Sequence, residues 1–435
     1  MKRRSLSCMI LAALLSCLLL AAGCTTNPSA QAGQENKNLS LSMTASPAGS
    51  SAASVPDANN LFSASLYRQL AAGDATSNIF FSPYSISSAL AITYEGARGT
   101  TADEIRSVFY FPANQTAMRE RYAAENAAIN AGDTGYSLST ANALWAEKNS
   151  TFLPSYSATA NTYYGANTTN LDFAGQSGAS RQVINAWVAD KTNNKILNLL
   201  PPGSITPLTR LVITNAVYFK GTWLMQFDAN RTRDAVFTRS DGTTVTVKMM
   251  QQTDKDAIFH YAENADIQML SLPYMAKDGQ GLSMVILLPR NNSISAAVPY
   301  LDPSNLTALE ASATSRQVKV YIPKFKFETQ YSLPDTLSAM GMPTAFSGNA
   351  DFSGMDGEKD LYISDVVHKA YIEVNEGGTE AAAATAVVMI ESARDPASET
   401  PIPVFKADHP FLFVIQDNNT GTILFAGRVA DPASS

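Results

Sequence analysis

Cysteine is nearly absent from this chain. Its 435 residues hold three, Cys8, Cys17 and Cys24, all near the N-terminus. No disulfide can therefore brace the rest, and stability must come from an apolar core, which roughly 375 residues supply readily. Histidine is as scarce, with only His260, His368 and His409. None belongs to an H-E-x-x-H pair, and there is no G-x-S-x-G elbow or phosphate-binding glycine loop. These absences argue against catalysis, and nothing calls for a metal or cofactor. Basic residues are outnumbered, 31 against 38 acidic, for a formal charge of −7, with no basic stripe. That argues against nucleic acid or another polyanion as partner.

The N-terminus has its own pattern. Lys2, Arg3 and Arg4 precede an apolar run from Leu6 to Ala22, then Gly23 and Cys24. A basic start and an apolar stretch before small residues describe a secretory signal. The Ala-Gly-Cys ending resembles a prokaryotic lipoprotein cleavage site, with residues 1–23 removed and Cys24 lipidated as the first mature residue. The rival readings are a plain signal peptide and an uncleaved anchor. Residues 25–56 are rich in Ser, Ala, Asn, Thr and Gln and have no aromatic residue. Such a segment cannot bury enough to fold, so 24–56 is expected to be a disordered tether. The expected place of work is extracellular or the cell envelope, on a membrane through Cys24.

From residue 57 the chain reads as folded. Asp57 is expected to cap a helix with Phe62, Leu66 and Leu70 at four-residue spacing. Ser82 and Pro83 start a second helix as N-cap and first residue, which Gly96 and Gly99 end. Thr101 and Glu104 suggest a capping box for a third. Later segments turn to strands: Leu211–Phe219 and Met284–Leu288 are apolar runs, and Gln317–Glu328 alternates around Pro323. In Val366–Asn375, Val366, His368, Ala370, Ile372 and Val374 share a face. Residues 411–415 and 422–429 flank a polar turn and read as a hairpin. Helices first and strands later suggest one mixed α+β domain.

The most telling stretch is EGGTEAAAATAVVMIESAR, Glu376–Arg394. From Ala381 to Ile390 it has no charge, proline or glycine, where loops are usually rich in Gly, Pro, Asn and Asp. Alanine alone would favour a helix. Val387, Val388 and Ile390 favour a strand, and Gly377-Gly378 permits a hinge.

The flanks decide between these. VVHKAYIEVNEGGTEAAAATA resembles the reactive-loop hinge of the serpins, the serine protease inhibitors. FKADHPFLFVIQDNNTGTILFAGRVADP resembles their C-terminal strand pair. NIFFSPYSISSALAITYEGARGTTADEI (78–105), INAWVADKTNNKILNLLPP (184–202), LTRLVITNAVYFKGTWLMQFD (208–228) and VKVYIPKFKFETQYSLPDTLSAMGM (318–342) resemble further serpin segments in the right order. The likeness runs from about residue 58 to 431. It implies an α+β serpin fold over 57–435: three β-sheets, about eight or nine helices, and an exposed reactive-centre loop at about 377–403.

The resemblance also implies roles. Glu376, Gly377, Gly378, Thr379, Glu380, Ala381, Ala382, Ala383 and Ala384 match the hinge. Ser82, Ser85, Asn215 and His368 match a hydrogen-bonded cluster beneath the main sheet, where strands part to admit the loop. Trp223 matches a tryptophan at the top of that opening. Read without the family, these are satisfied core polar groups and a core aromatic. The implied function is suicide-substrate inhibition by a monomer: a serine protease acylates the loop, which then inserts into the main sheet. About 16 residues at roughly 3.3 Å each would carry the enzyme about 50 Å. On insertion Thr379, Ala381, Ala383, Thr385, Val387 and Met389 would face inward and Glu380 outward. Counting Glu376 as one, the family's bond follows the seventeenth residue, giving Ser392–Ala393 and an elastase- or subtilisin-like target. Arg394–Asp395 is the alternative and would suit a trypsin-like enzyme. A serpin-fold binding or carrier protein without inhibition is the competing reading.

Overall fold

The structure is a computed structural model, and it describes residues 52–131, 135–277, 281–379 and 401–434. Among these residues nine α-helices surround three sheets, the α+β architecture that the resemblance implies.

The main sheet has six strands, in the order Phe325–Ser332, Ile363–Asn375, Gly378–Thr379, Leu211–Thr222, Tyr136–Glu147 and Asn167–Leu171. Its two long central strands, Ile363–Asn375 and Leu211–Thr222, pair directly and in parallel from Ile363/Leu211 up to Ala370/Val217. Above that point the two-residue strand Gly378–Thr379 lies between them, antiparallel to both. Leu211–Phe219 is buried without interruption, as suits a strand covered on both faces. Val366, His368, Ala370, Ile372 and Val374 are all buried, so the alternation in the sequence marks the inward face.

A seven-stranded sheet lies behind the main one. Its centre is formed by Leu282–Pro289, Phe411–Asp417 and Ile423–Val429, which pair antiparallel. The helix Pro83–Gly96 is buried on nearly every side and packs against strands of both sheets. It can be buried all round because its core positions are Ile86, Leu90 and Ile92 and its hydroxyls find partners. Ser87 Oγ, for instance, meets Tyr122 OH at 3.0 Å. A second apolar cluster around Trp145, Phe173, Ile184 and Val188 joins the helix Phe173–Lys191 to the main sheet.

Several local readings are corrected. The first helix is Val55–Ala71, and its cap is Ser54, whose side chain accepts from the Asp57 N–H at 3.2 Å. Asp57 instead lies in the first turn, where a carboxylate suits the helix dipole. Val55 and Pro56, read with the tether, are therefore helical. Gly99 opens the third helix rather than closing the second, and that helix has no side-chain cap. Thr101 and Glu104 reach across the fold instead. Thr101 Oγ1 accepts from the Asp351 N–H at 3.0 Å. Glu104 accepts from the N–H of Thr344 at 2.9 Å and from its hydroxyl at 2.8 Å. The alternating run Gln317–Glu328 is not one strand. Thr314–Gln317, Lys319–Pro323 and Phe325–Ser332 belong to three different sheets. Proline has no N–H for a ladder, and the chain changes sheet at Pro323.

Candidate functional site

Three polar residues lie side by side across the middle of the main sheet. His368 pairs with Asn215, and Asn215 with Asn142 on the next strand. All are buried, so each must find hydrogen bonds within the fold. The start of the helix Pro83–Gly96 supplies the rest. The Ser82 N–H donates to His368 Nε2 at 3.1 Å. A backbone N–H only donates, so Nε2 is the bare nitrogen and Nδ1 carries the proton. Nδ1 donates to Asn215 Oδ1 at 2.6 Å. Asn215 Nδ2 in turn donates to Ser85 Oγ at 2.5 Å and Asn142 Oδ1 at 2.6 Å. Asn142 Nδ2 donates to Ser88 Oγ at 3.1 Å. Ser82 Oγ caps the helix by accepting from the Ser85 N–H at 3.2 Å, and donates to Leu424 O at 2.7 Å. The network ties both central strands and a neighbour to the helix beneath them. Burial pushes the His368 imidazole down to about 3 from 6.5, because a charged ring would lose its hydration.

A second group holds the top of the sheet, where Gly378–Thr379 is seated. Trp223 Nε1 donates to Asn375 O at 3.1 Å, and the Trp223 N–H to Gly377 O at 2.9 Å. Its ring stacks on Tyr274 with centroids 4.5 Å apart. Tyr274 OH lies 2.7 Å from Thr379 Oγ1, and Thr379 is only 1% exposed. Gly378 has φ +150°, and a Cβ there would lie 2.0 Å from Gly221 O. No other residue fits that approach without the strand moving.

Glu376 anchors the segment just before. Its carboxylate accepts from Lys324 Nζ at 2.7 Å and from Thr232 Oγ1 at 2.8 Å, and its carbonyl from the Phe227 N–H at 2.9 Å. Burial alone would raise the Glu376 pKa, but the Lys324 ammonium, a backbone N–H and the Thr232 hydroxyl hold it below the usual value.

The structure thus brings Ser82, Ser85, Asn215 and His368 into one network, and gathers Trp223, Glu376, Gly377, Gly378 and Thr379 at the sheet top. Glu380, Ala381, Ala382, Ala383, Ala384, Ser392, Ala393, Arg394 and Asp395 lie outside the described residues, as does Cys24. Sequence reasoning missed Asn142, although it interrupts an apolar strand just as Asn215 does. It also missed Tyr274, Lys324 and Thr232. Nothing local marks these three, because their partners lie 52 to 144 residues away. Among the described residues no cluster of His, Cys, Asp or Glu could hold a metal ion.

Comparison with known proteins agrees with this architecture. A family model described as Serpin (serine protease inhibitor) matches residues 57–432. An uncharacterized serpin-like protein of Methanosarcina acetivorans is 42% identical over 380 residues, covering 87% of this chain and 86% of the relative. The leukocyte elastase inhibitor of Xenopus tropicalis is 40% identical, covering 85% and 97%. The crystal structure of Serpin48, described as a highly specific serpin in the insect Tenebrio molitor, superposes with a TM-score of 0.75 at 34% identity. It covers 87% of this chain and 98% of its own.

Two outcomes are expected from this geometry. Because the His368 ring stays neutral when folded, the unfolded chain binds the extra proton below pH 6.5. Stability should be unaffected above that pH and fall as pH drops toward 3, by up to about 1.4 kcal/mol per unit. Urea midpoints between pH 7.5 and 4 test this against His368→Gln, which should show a shallower acid loss; parallel curves would refute it. Gly378→Ala should drive Gly378–Thr379 out from between the central strands. Trp223 fluorescence would then change in the native protein, and an unchanged spectrum would contradict the packing argument.

Proposed function

The chain belongs to the serpin family, and from that premise we propose that it is a suicide-substrate inhibitor of extracellular serine proteases, with cysteine proteases also within its reach. It is not itself an enzyme. The observation that carries this reading is the strand Gly378–Thr379, which occupies the top of a slot between two strands that remain paired below it. Chain continuing from Thr379 would run down that slot once the loop is cut.

The target's serine oxygen adds to the carbonyl carbon of Ser392, and the bond to the Ala393 nitrogen breaks. The amine leaves with a proton, and an ester joins the two proteins. Arg394–Asp395 remains the alternative bond. The freed segment then extends Gly378–Thr379 downward, carrying the acyl-enzyme to the far end, where its oxyanion hole is deformed before water can release it.

The pairing of Thr379 with Gly221 and Val374 fixes the register of that extension. Continued downward, it brings Thr385 between Asn215 and His368. Their direct hydrogen bond must then break, since an added strand moves its two neighbours about 4.8 Å further apart. A threonine hydroxyl can accept from His368 Nδ1–H and donate to Asn215 Oδ1, so the network closes again around the new strand. The inward set below Thr379 includes no charged residue.

The small residues at the bond suit elastase- or subtilisin-like enzymes, and Arg394 a trypsin-like one. The leukocyte elastase inhibitor among the relatives supports the first class. The protein is further proposed to work as a monomer without cofactor or nucleic acid, exported and held to a membrane by lipid on Cys24 through the 24–56 tether. The support is the basic start, the apolar run and the Gly23-Cys24 pair. No helix of the described residues is long and apolar enough to cross a membrane.

Incubation of residues 57–435 with elastase, subtilisin, trypsin and chymotrypsin tests the reading. A denaturation-resistant adduct is expected, with a released peptide starting at Ala393; a start at Asp395 would move the bond. Thr379→Arg should be cleaved at the same site but yield at least about tenfold less adduct, since a buried unpaired charge blocks the slot. Cleavage of the parent without adduct and without a gain in heat resistance would favour a non-inhibitory binding protein. For the anchor, mass spectrometry of the cell-derived protein should find a lipid-modified Cys24 as its first residue; an unmodified start elsewhere would sink that part.

A further inference from the structure

His409 is held by two groups that can only accept. Its Nε2 donates to Pro289 O at 2.6 Å, and its Nδ1 to Asp408 Oδ1 at 3.0 Å. A carbonyl oxygen has no proton to give, and neither has an ionised carboxylate. Burial alone would raise the Asp408 pKa, but the His409 ring and the Lys406 ammonium, 2.9 Å from Asp408 Oδ2, hold it below the usual value. The two contacts together therefore need a proton on each ring nitrogen, and His409 makes them as a cation. His368 is the opposite case, since there a backbone N–H faces a bare Nε2.

The ring sits where three elements meet. Asp408 and His409 follow the strand Val404–Lys406 and precede Phe411–Asp417. Pro289 ends the strand Leu282–Pro289 of the seven-stranded sheet. Asp408 O accepts from the N–H of Thr238 at 2.9 Å, at the end of Arg233–Thr238. The third sheet has the order Val404–Lys406, Lys319–Pro323, Thr244–Gln252 and Arg233–Thr238, so Val404–Lys406 is an edge strand. It pairs with Lys319–Pro323 in parallel over three residues only, which makes the contacts at its end important to its hold. Of the charged side chains on the elements packed there, Asp408 contacts the ring and Lys406 contacts Asp408. Arg290 and Arg239 are taken up by Glu263 and Asp431.

We propose that His409 is a proton-operated latch on the strand Val404–Lys406. With both protons in place, the ring ties the end of that strand to the seven-stranded sheet. Once it loses one, a lone pair faces an acceptor, one contact is lost and the strand is held less firmly. Imidazoles exchange this proton between about pH 5 and 8, so the grip weakens as pH rises through that range. Residues 401–403 lead directly into the strand. On the inhibitory reading above, they are the C-terminal foot of the reactive loop, and the latch sets how firmly the uncut loop is held there.

Hydrogen exchange of the intact protein at pH 5.5 and 8, corrected for the intrinsic pH dependence and read by mass spectrometry, tests this. Peptides covering residues 404–407 should lose at least about tenfold in protection at the higher pH, the factor expected for one hydrogen bond between charged groups. Those covering Leu211–Thr222 should not lose protection. His409→Gln should exchange alike at both pH values, and His260→Gln should behave as the parent. No pH effect in the parent, or the same effect in His409→Gln, would overturn the proposal. Nitrogen-15 NMR of labelled histidine gives a readout independent of any variant. Both His409 nitrogens should carry a proton at pH 5.5, and one should lose it by pH 8; a bare nitrogen at the lower pH, or no change between the two, would likewise overturn the proposal. Neither measurement uses a protease, so failure of the latch and failure of the inhibitory reading are told apart.

Discussion

Everything in this molecule depends on the direct pairing of Ile363–Asn375 with Leu211–Thr222. It is a parallel contact inside a sheet whose other long pairings to these two strands are antiparallel. Parallel ladders are slightly less stable per residue than antiparallel ones. A strand entering between them from the top runs antiparallel to both, as Gly378–Thr379 already does. It would exchange one parallel ladder for two antiparallel ones. The closed sheet is therefore the arrangement with fewer main-chain hydrogen bonds.

The His368–Asn215 contact holds that pairing where it matters. Both side chains face the helix Pro83–Gly96, and every bond in their network is specific in direction because the Ser82 N–H fixes the imidazole tautomer. A polar core costs desolvation and is kept only when fully satisfied. Here satisfaction requires two central strands and a helix to remain in place together. The network is also chemically suited to being rebuilt, since a hydroxyl inserted between its members can both accept and donate.

The top of the sheet works by the opposite principle, close approach rather than reach. Gly378 fits because it has no Cβ to meet Gly221 O, and Thr379 is locked by Tyr274. Glu376, gripped by Lys324 and Thr232, holds the chain immediately before. The chain is thus fixed at Glu376 and already part of the sheet two residues later.

Much of this was legible in the chain itself. The scarcity of cysteine required a large apolar core. The inward alternation of 366–374, the two-sided apolar strand 211–219 and the hairpin 411–429 came from periodicity of two and from turn residues, which act over a few positions. His368 and Asn215 stood out as polar interruptions of apolar runs, and Asn142 carried the same mark. Tertiary structure alone decided the partners. Ser82 meets His368 across 286 residues of sequence, Glu104 turns from its own helix to Thr344, and the run 314–332 is divided among three sheets. Local propensity records which way a side chain faces. It does not record which distant strand will lie opposite, because that is set by the packing of the whole core.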